Sequence, residues 1–217
     1  ARNHFHDYYA RLLKKRRWST RVNALLELEL FRMDCLREEL VALLGRRNLS
    51  DTEKFLILRI FASFQMKELL PFLKEDASSM SESQLLQLLL PLQSSLQEII
   101  LTEFTAYPLR VQCAMVDALR LRNERSTPVL TLLESLLGSE KPNLRLRVIH
   151  AIANFGYISP EGESKLVASL QQPQNEYSWE ERQALARLMG SIREEHFLPI
   201  LLKFLGDESY PVRQTAS

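Results

Sequence analysis

Glycine is scarce in this chain, with six among 217 residues, and cysteine is scarcer, with two. A sheet protein needs frequent glycine or Asn-Gly turns between short strands, so the first shortage argues against β structure. Cys35 and Cys113 each fall inside an apolar, helix-spaced run, where a buried free thiol is expected, and a reducing compartment with it. No run approaches the 18 apolar residues that a membrane span needs; residues 83–97 form the longest uncharged segment and carry several Gln and Ser, which predicts a soluble chain. No signal peptide is visible. There is no G-x-S-x-G, no P-loop and no H-E-x-x-H, so nucleophilic, nucleotide and zincin chemistry have no motif to stand on.

Leucine-rich, charge-dotted segments fill the chain instead. At 46% hydrophobic residues, a chain of this length buries enough surface to fold without disulfides or metal. Helix spacing runs nearly end to end, and the expected class is all-α. Phe5, Tyr8, Tyr9, Leu12 and Leu13 make one helical stripe opposite Asp7, Arg11, Lys14 and Lys15, and that helix should end near Lys15. Ser19 or Thr20 can cap the next, beginning at about Arg21. Further helices are expected over 34–44, 51–65, 67–75, 81–90, 92–105, 107–122, 127–138, 143–155, 160–171, 178–192 and 195–205, with a last one from about Pro211. Ser50-Asp-Thr-Glu53 reads as a capping box, Gly45 and Gly206 as stop signals, and Pro91 as a break.

An arginine recurs at the head of these runs: Arg21, Arg110, Arg147, Arg182 and Arg213. Four have an aromatic three residues earlier, namely Trp18, Tyr107, Trp179 and Tyr210, while Leu144 stands there in the fifth. From Arg110 onward the spacings are about 37, 35 and 31 residues, the period of two-helix repeats. Each such arginine reads either as a rung of an anion-binding ladder or as a structural tie to a nearby carboxylate, with Asp117, Asp207 and Glu181 as candidate partners. The upstream aromatic is expected to pack against the preceding repeat. Ala114, Ala118, Ala151 and Ala153 would let neighbouring helices approach closely.

The segment from Phe197 to Asp207, followed by Tyr210-Pro-Val-Arg213 and Ala216, resembles a HEAT repeat: Leu198, Pro199, Asp207, Val212, Arg213 and Ala216 match the family's positions. The triad Leu109-Arg110-Val111 with Ala114 aligns without a gap to Leu146-Arg147-Val148 with Ala151. The signature decays over 34–95, where Lys54 and Gln84 replace the arginine. The resemblance covers about residues 18–217. It implies a right-handed α-α superhelix, a HEAT-repeat (armadillo-like) solenoid of about six stacked helix pairs, with Arg21, Arg110, Arg147, Arg182, Arg213 and Asp207 in structural roles. It also implies a protein–protein interaction scaffold or adaptor without catalysis or cofactor. Its concave face, lined by the second helix of each pair, would hold a partner protein whose identity the sequence does not give.

Charge is uneven. Residues 1–22 carry seven cations against Asp7 alone, a net +6, which leaves the rest of the chain at −5. The domain reading is a basic amphipathic helix over 1–17 followed by the solenoid over 18–217. The run Lys14-Lys15-Arg16-Arg17 is in one reading a solvated helix end. In the other it joins Arg11 as a contact with an anionic membrane surface, on the cytoplasmic flank of an anchor preceding residue 1. That second reading is similar to bacterial membrane-tethered HEAT-repeat proteins and places the chain in the cytoplasm at the inner face of the membrane. The end at Ser217 falls within the first turns of a helix, which is the expectation for a longer parent chain.

Two further functions are weighed. HEAT-like DNA glycosylases are helical solenoids with a basic concave face, yet the body of this chain is net acidic, and nucleic acid is the lesser alternative. A metal site could use His4-x-His6-Asp7, but residues two apart on a helix diverge, and His150 and His196 lack a second histidine at ligand spacing.

Overall fold

The computed structural model describes residues 2–33, 35–171 and 177–217. Within them the chain is all-helical: fourteen α-helices and three short 3-10 turns, and no strand among the described residues. Two units are compact in themselves, residues 1–108 and 109–217.

Unit 1 contains α1 (Arg2–Leu13), α2 (Trp18–Leu30), α3 (Arg37–Leu44), α4 (Asp51–Ser63), α5 (Leu69–Glu75), α6 (Glu82–Leu89) and α7 (Ser94–Thr102). Unit 2 contains α8 (Leu109–Leu121), α9 (Thr127–Ser135), α10 (Pro142–Phe155), α11 (Pro160–Gln171), α12 (Trp179–Ile192), α13 (Leu198–Leu205) and α14 (Tyr210–Ala216). The break between units falls between α7 and α8.

In each unit the second helices of successive pairs form one layer. α4 packs between α2 and α6, and in unit 2 the order is α8, α10, α12, α14. First helices cover them from the other side, α1 beside α3 and α9 beside α11. The middle helices carry the core. α4 buries Leu56, Ile57, Leu58, Ile60, Phe61 and Ala62 around most of its circumference, as a helix covered on several sides must. In α12 the pattern is Ala184, Leu185, Ala186, Leu188 and Met189. Ala114, Ala118 and Ala151 are buried where second helices meet, and Ala153 is half-buried.

Three helix starts follow from local sequence. Ser50, Ser81 and Ser178 each accept from the backbone N–H three residues on, and Glu53, Gln84 and Glu181 return the bond. Four local expectations are corrected. α2 begins at Trp18 without a side-chain cap, so Ser19 and Thr20 lie inside the helix and cap nothing. α1 ends at Leu13; its buried side is Tyr9, Ala10 and Leu13, while Phe5 and Tyr8 of the expected stripe face solvent. Cys113 is buried, but Cys35 is only half-buried, since it lies in the turn before α3 and not in a helix. Gly45 and Gly206, by contrast, stand at the C-terminal caps of α3 and α13, where their reading as stop signals puts them. The helix expected to open at Asp34 begins at Arg37, and Asp34 lies outside the described residues.

The helix stops have a signature of their own. Just after α2, α4, α8, α10 and α12 stand Arg32, Gln65, Asn123, Gly156 and Arg193, all with positive φ. These five second helices share one left-handed ending, which α6 lacks, and four of its five bearers are not glycine.

Candidate functional site

The site is, in each unit, the edge where first helices turn into second helices. A latch closes four of these turns, those before α2, α10, α12 and α14. Arg21, the fourth residue of α2, donates from Nη1 to the carbonyls of Lys15 at 2.9 Å and Arg16 at 2.7 Å, and from Nε to Glu53, the capping-box acid of α4. One guanidinium thus fixes its own turn and grips the next pair.

Arg145 repeats the arrangement in unit 2. As the fourth residue of α10 it donates to the Ser139 carbonyl at 3.0 Å and to Glu181, the capping-box acid of α12, at 2.7 Å. Its guanidinium lies 4.7 Å from the Tyr177 ring. Arg182, fourth in α12, grips Asp207 through two nitrogens at 2.7 and 3.0 Å and the Tyr177 carbonyl at 2.8 Å. Arg213, fourth in α14, closes its turn on the carbonyls of Asp207 at 2.6 Å and Glu208 at 2.9 Å. In α4 the fourth residue is Lys54, and it reaches Asp76 in the following turn at 3.5 Å.

Arg147 lies two residues beyond the latch position. It pairs backward with Asp117 of α8 at 2.8 Å, so the gapless alignment of its triad with that of Arg110 puts it out of register with Arg21 and Arg182. Arg110 is exposed in the first turn of α8. Each of the three carboxylates singled out beside the arginines holds a guanidinium: Asp117 that of Arg147, Asp207 that of Arg182, and Glu181 that of Arg145.

The latches set the electrostatics. Burial pushes the Glu53 carboxyl upward, yet its bonds from Arg21 and Ser50 outweigh burial and hold it below its ordinary value. The Arg182 pair lowers Asp207 against a smaller opposing effect of burial, and the Ser209 N–H adds to the lowering.

Of the four aromatics that precede these arginines, three do not sit as expected. Tyr107 is buried, but Trp18, Trp179 and Tyr210 are 49%, 45% and 64% exposed. As the first residue of its helix, each projects from the edge instead of entering the layer. Trp18 leans forward: its indole N–H donates to Ser50 Oγ of the next pair at 2.9 Å. These rings are amphipathic, fixed on rigid helix starts, and open to a partner.

In unit 1 this edge holds a basic groove of about 510 Å³, walled by Lys14, Lys15 and Arg16 from the α1–α2 turn and Arg46, Arg47 and Asn48 from the α3–α4 turn. Leu43 and Leu49 contribute apolar lining, and no carboxylate is among the lining residues. Arg46 also approaches the carbonyl end of α1 at Leu13. Of the N-terminal cations, Arg11 bonds back to the Asp7 carbonyl at 3.1 Å, and neither it nor Arg17 lines the groove. The second-turn pair Arg46 and Arg47 carries no local signal; only the packing of α3 beside α1 brings it to the first turn.

His4 and His6 stand two apart on α1, and His6 lies 3.2 Å from Glu39 Oε1 of α3. His196 contacts Glu163. Among the described residues no three histidines, cysteines or carboxylates gather as metal ligands, and no helix is long and apolar enough to cross a membrane.

No family model matches the chain, and no curated protein matches it. Among solved structures it is similar to a designed armadillo repeat protein, at 17% identity over 97% of this chain and 96% of that one, with a TM-score of 0.36.

Proposed function

We propose that the chain is a non-catalytic protein-binding scaffold of HEAT type, its helix pairs, about six as counted in the sequence, following a right-handed α-α superhelix. Recurrence of one latch at the fourth residue of α2, α10, α12 and α14 supports the repeat reading. The observation that carries the function is the exposure of Trp18, Trp179 and Tyr210 at the head of latched helices. Interface energy concentrates in aromatic and arginine anchors held rigidly, because little side-chain entropy is then lost on binding. Trp179 and Tyr210 open α12 and α14, which pack on each other, so the two rings belong to one rigid surface.

The mechanism is positional. A partner docks on an edge whose shape is set before binding, and the scaffold contributes placement, with no bond made or broken. A cytoplasmic site of action agrees with the free thiols of Cys35 and Cys113.

Affinity capture from the cells that make the protein, using the full chain as bait, tests this reading. A specific protein should be retained by the wild type and lost from Trp179→Ala/Tyr210→Ala, whose melting temperature should be unchanged because both rings are largely exposed. Equal recovery on both baits would contradict the assignment of the surface.

A further inference from the structure

We infer that the groove between the first two interhelix turns is a recognition site for a short, anionic protein segment, one carrying clustered carboxylate or phosphate groups. The inference deepens the scaffold reading and depends on it only in taking the partner to be a protein.

Four observations converge. The groove gathers Lys14, Lys15, Arg16, Arg46 and Arg47 with no carboxylate among its lining; Glu38 and Glu39 lie with Lys14 and Arg46 in the adjoining hollow, and Lys15, Arg16 and Arg47 stand clear of it. Its walls are held in place: Arg21 ties down the carbonyls of Lys15 and Arg16 and spends its own charge on Glu53, and Arg46 touches the end of α1. Its volume, about 510 Å³, is that of a cleft for a few residues or a small ligand.

The fourth observation limits the occupant. Further along the same edge of unit 1 the clustered cations give way to ion pairs. The next turn carries Glu75 and Asp76, and the one after it Glu103, with Lys54 and Lys74 paired to Asp76 and Glu103. A nucleic acid requires cations in succession along its backbone, and here they stop after two turns. A membrane is met by protruding cations on a convex or flat surface, whereas these line a concavity. A short acidic stretch of polypeptide fits both the length and the shape. Arg46 and Arg47 supply forked donors suited to two-oxygen anions, and Lys14 and Lys15 act as mobile point charges.

The test is fluorescence anisotropy on the full chain at about 50 mM salt, where charge pairing is strongest. Probes are a labelled peptide of alternating glutamate and glycine, its phosphoserine counterpart and its glutamine counterpart. Labelled duplex DNA and phosphatidylserine-rich vesicles serve as competitors of other classes. At least one anionic peptide should bind, the glutamine peptide should not, and Lys15→Glu/Arg47→Glu should weaken binding by about ten-fold or more. Both side chains are exposed, so the melting temperature of that variant should match the wild type. Comparing the glutamate and phosphoserine peptides identifies which anion is preferred. The inference is overturned if neither anionic peptide binds, if the double variant binds them as the wild type does, or if DNA or vesicles bind more tightly through the same two residues. Should the peptides fail while capture through Trp179 and Tyr210 succeeds, the groove is dismissed and the scaffold reading stands.

Discussion

Arg145 reaches Glu181 across 36 residues of chain, Nε to Oε1 at 2.7 Å, and both side chains are buried, at 7% and 2% exposure. The same carboxylate accepts the Ser178 N–H at 2.8 Å, so a single acid caps α12 and receives the latch from α10. The helix start and the contact between pairs are therefore one structure.

Removing one partner leaves the other charge buried. Arg145→Met or Glu181→Gln should each destabilise unit 2 by about 3 kcal/mol or more, whereas removing both together should cost less than the sum. Arg147→Ala, which breaks a half-exposed pair with Asp117, should cost about 1 kcal/mol or less. Chemical denaturation of the three single variants and the double variant checks the order.

Asp207 and Glu53 make the fold acid-sensitive. Both carboxyls are held below their ordinary values of 3.8 and 4.5, so the native state binds protons less readily than the unfolded chain. Their stabilisation is complete above those ordinary values and is lost as pH falls through the lower, folded ones. Melting temperature should drop as pH is lowered through about 4. In Asp207→Asn the drop should be shallower and start from a lower plateau. A parallel pair of curves would contradict the assignment.

Two glycines should respond to alanine in opposite directions. A Cβ at Gly162 would fall 2.5 Å from the Glu134 side chain, which is buried and held by the Ser159 N–H at 2.6 Å and hydroxyl at 2.7 Å. Gly162→Ala must displace that acid and should destabilise. Gly190 lies inside α12 with open space around it, so Gly190→Ala should stabilise by about 0.5 to 1 kcal/mol. Thermal melts of the two variants should move apart.

These residues also mark what the sequence makes legible. The capping box at Ser50 can be read because both halves lie within four residues, and the helix it opens falls where that reading puts it, whereas the box at Ser178, of the same spacing, is found only in the structure. Arg145 could not be told from Arg147, because two arginines two positions apart differ only in phase relative to the helix start, and that start is fixed by Pro142 and not by the Leu-Arg-Val triad. α8 begins at Leu109, so Arg110 is its second residue while Arg147 is the sixth of α10, and aligning on that triad shifts the register by four, about one helical turn. Helix stops at Arg32, Gln65, Asn123 and Arg193 escape notice because the left-handed position is usually signalled by glycine. The basic groove is hidden for a different reason: Arg46 and Arg47 join Lys14 and Lys15 only through packing across some thirty residues of chain.

The most direct measurement of the central claim is hydrogen exchange on the full chain, alone and bound to the captured protein. The account predicts that binding slows exchange at the head of α12 and α14, around Trp179 and Tyr210, and leaves the buried centres of α4 and α10 as they were. Protection confined to other surfaces, with no change at those two helix starts, would contradict it.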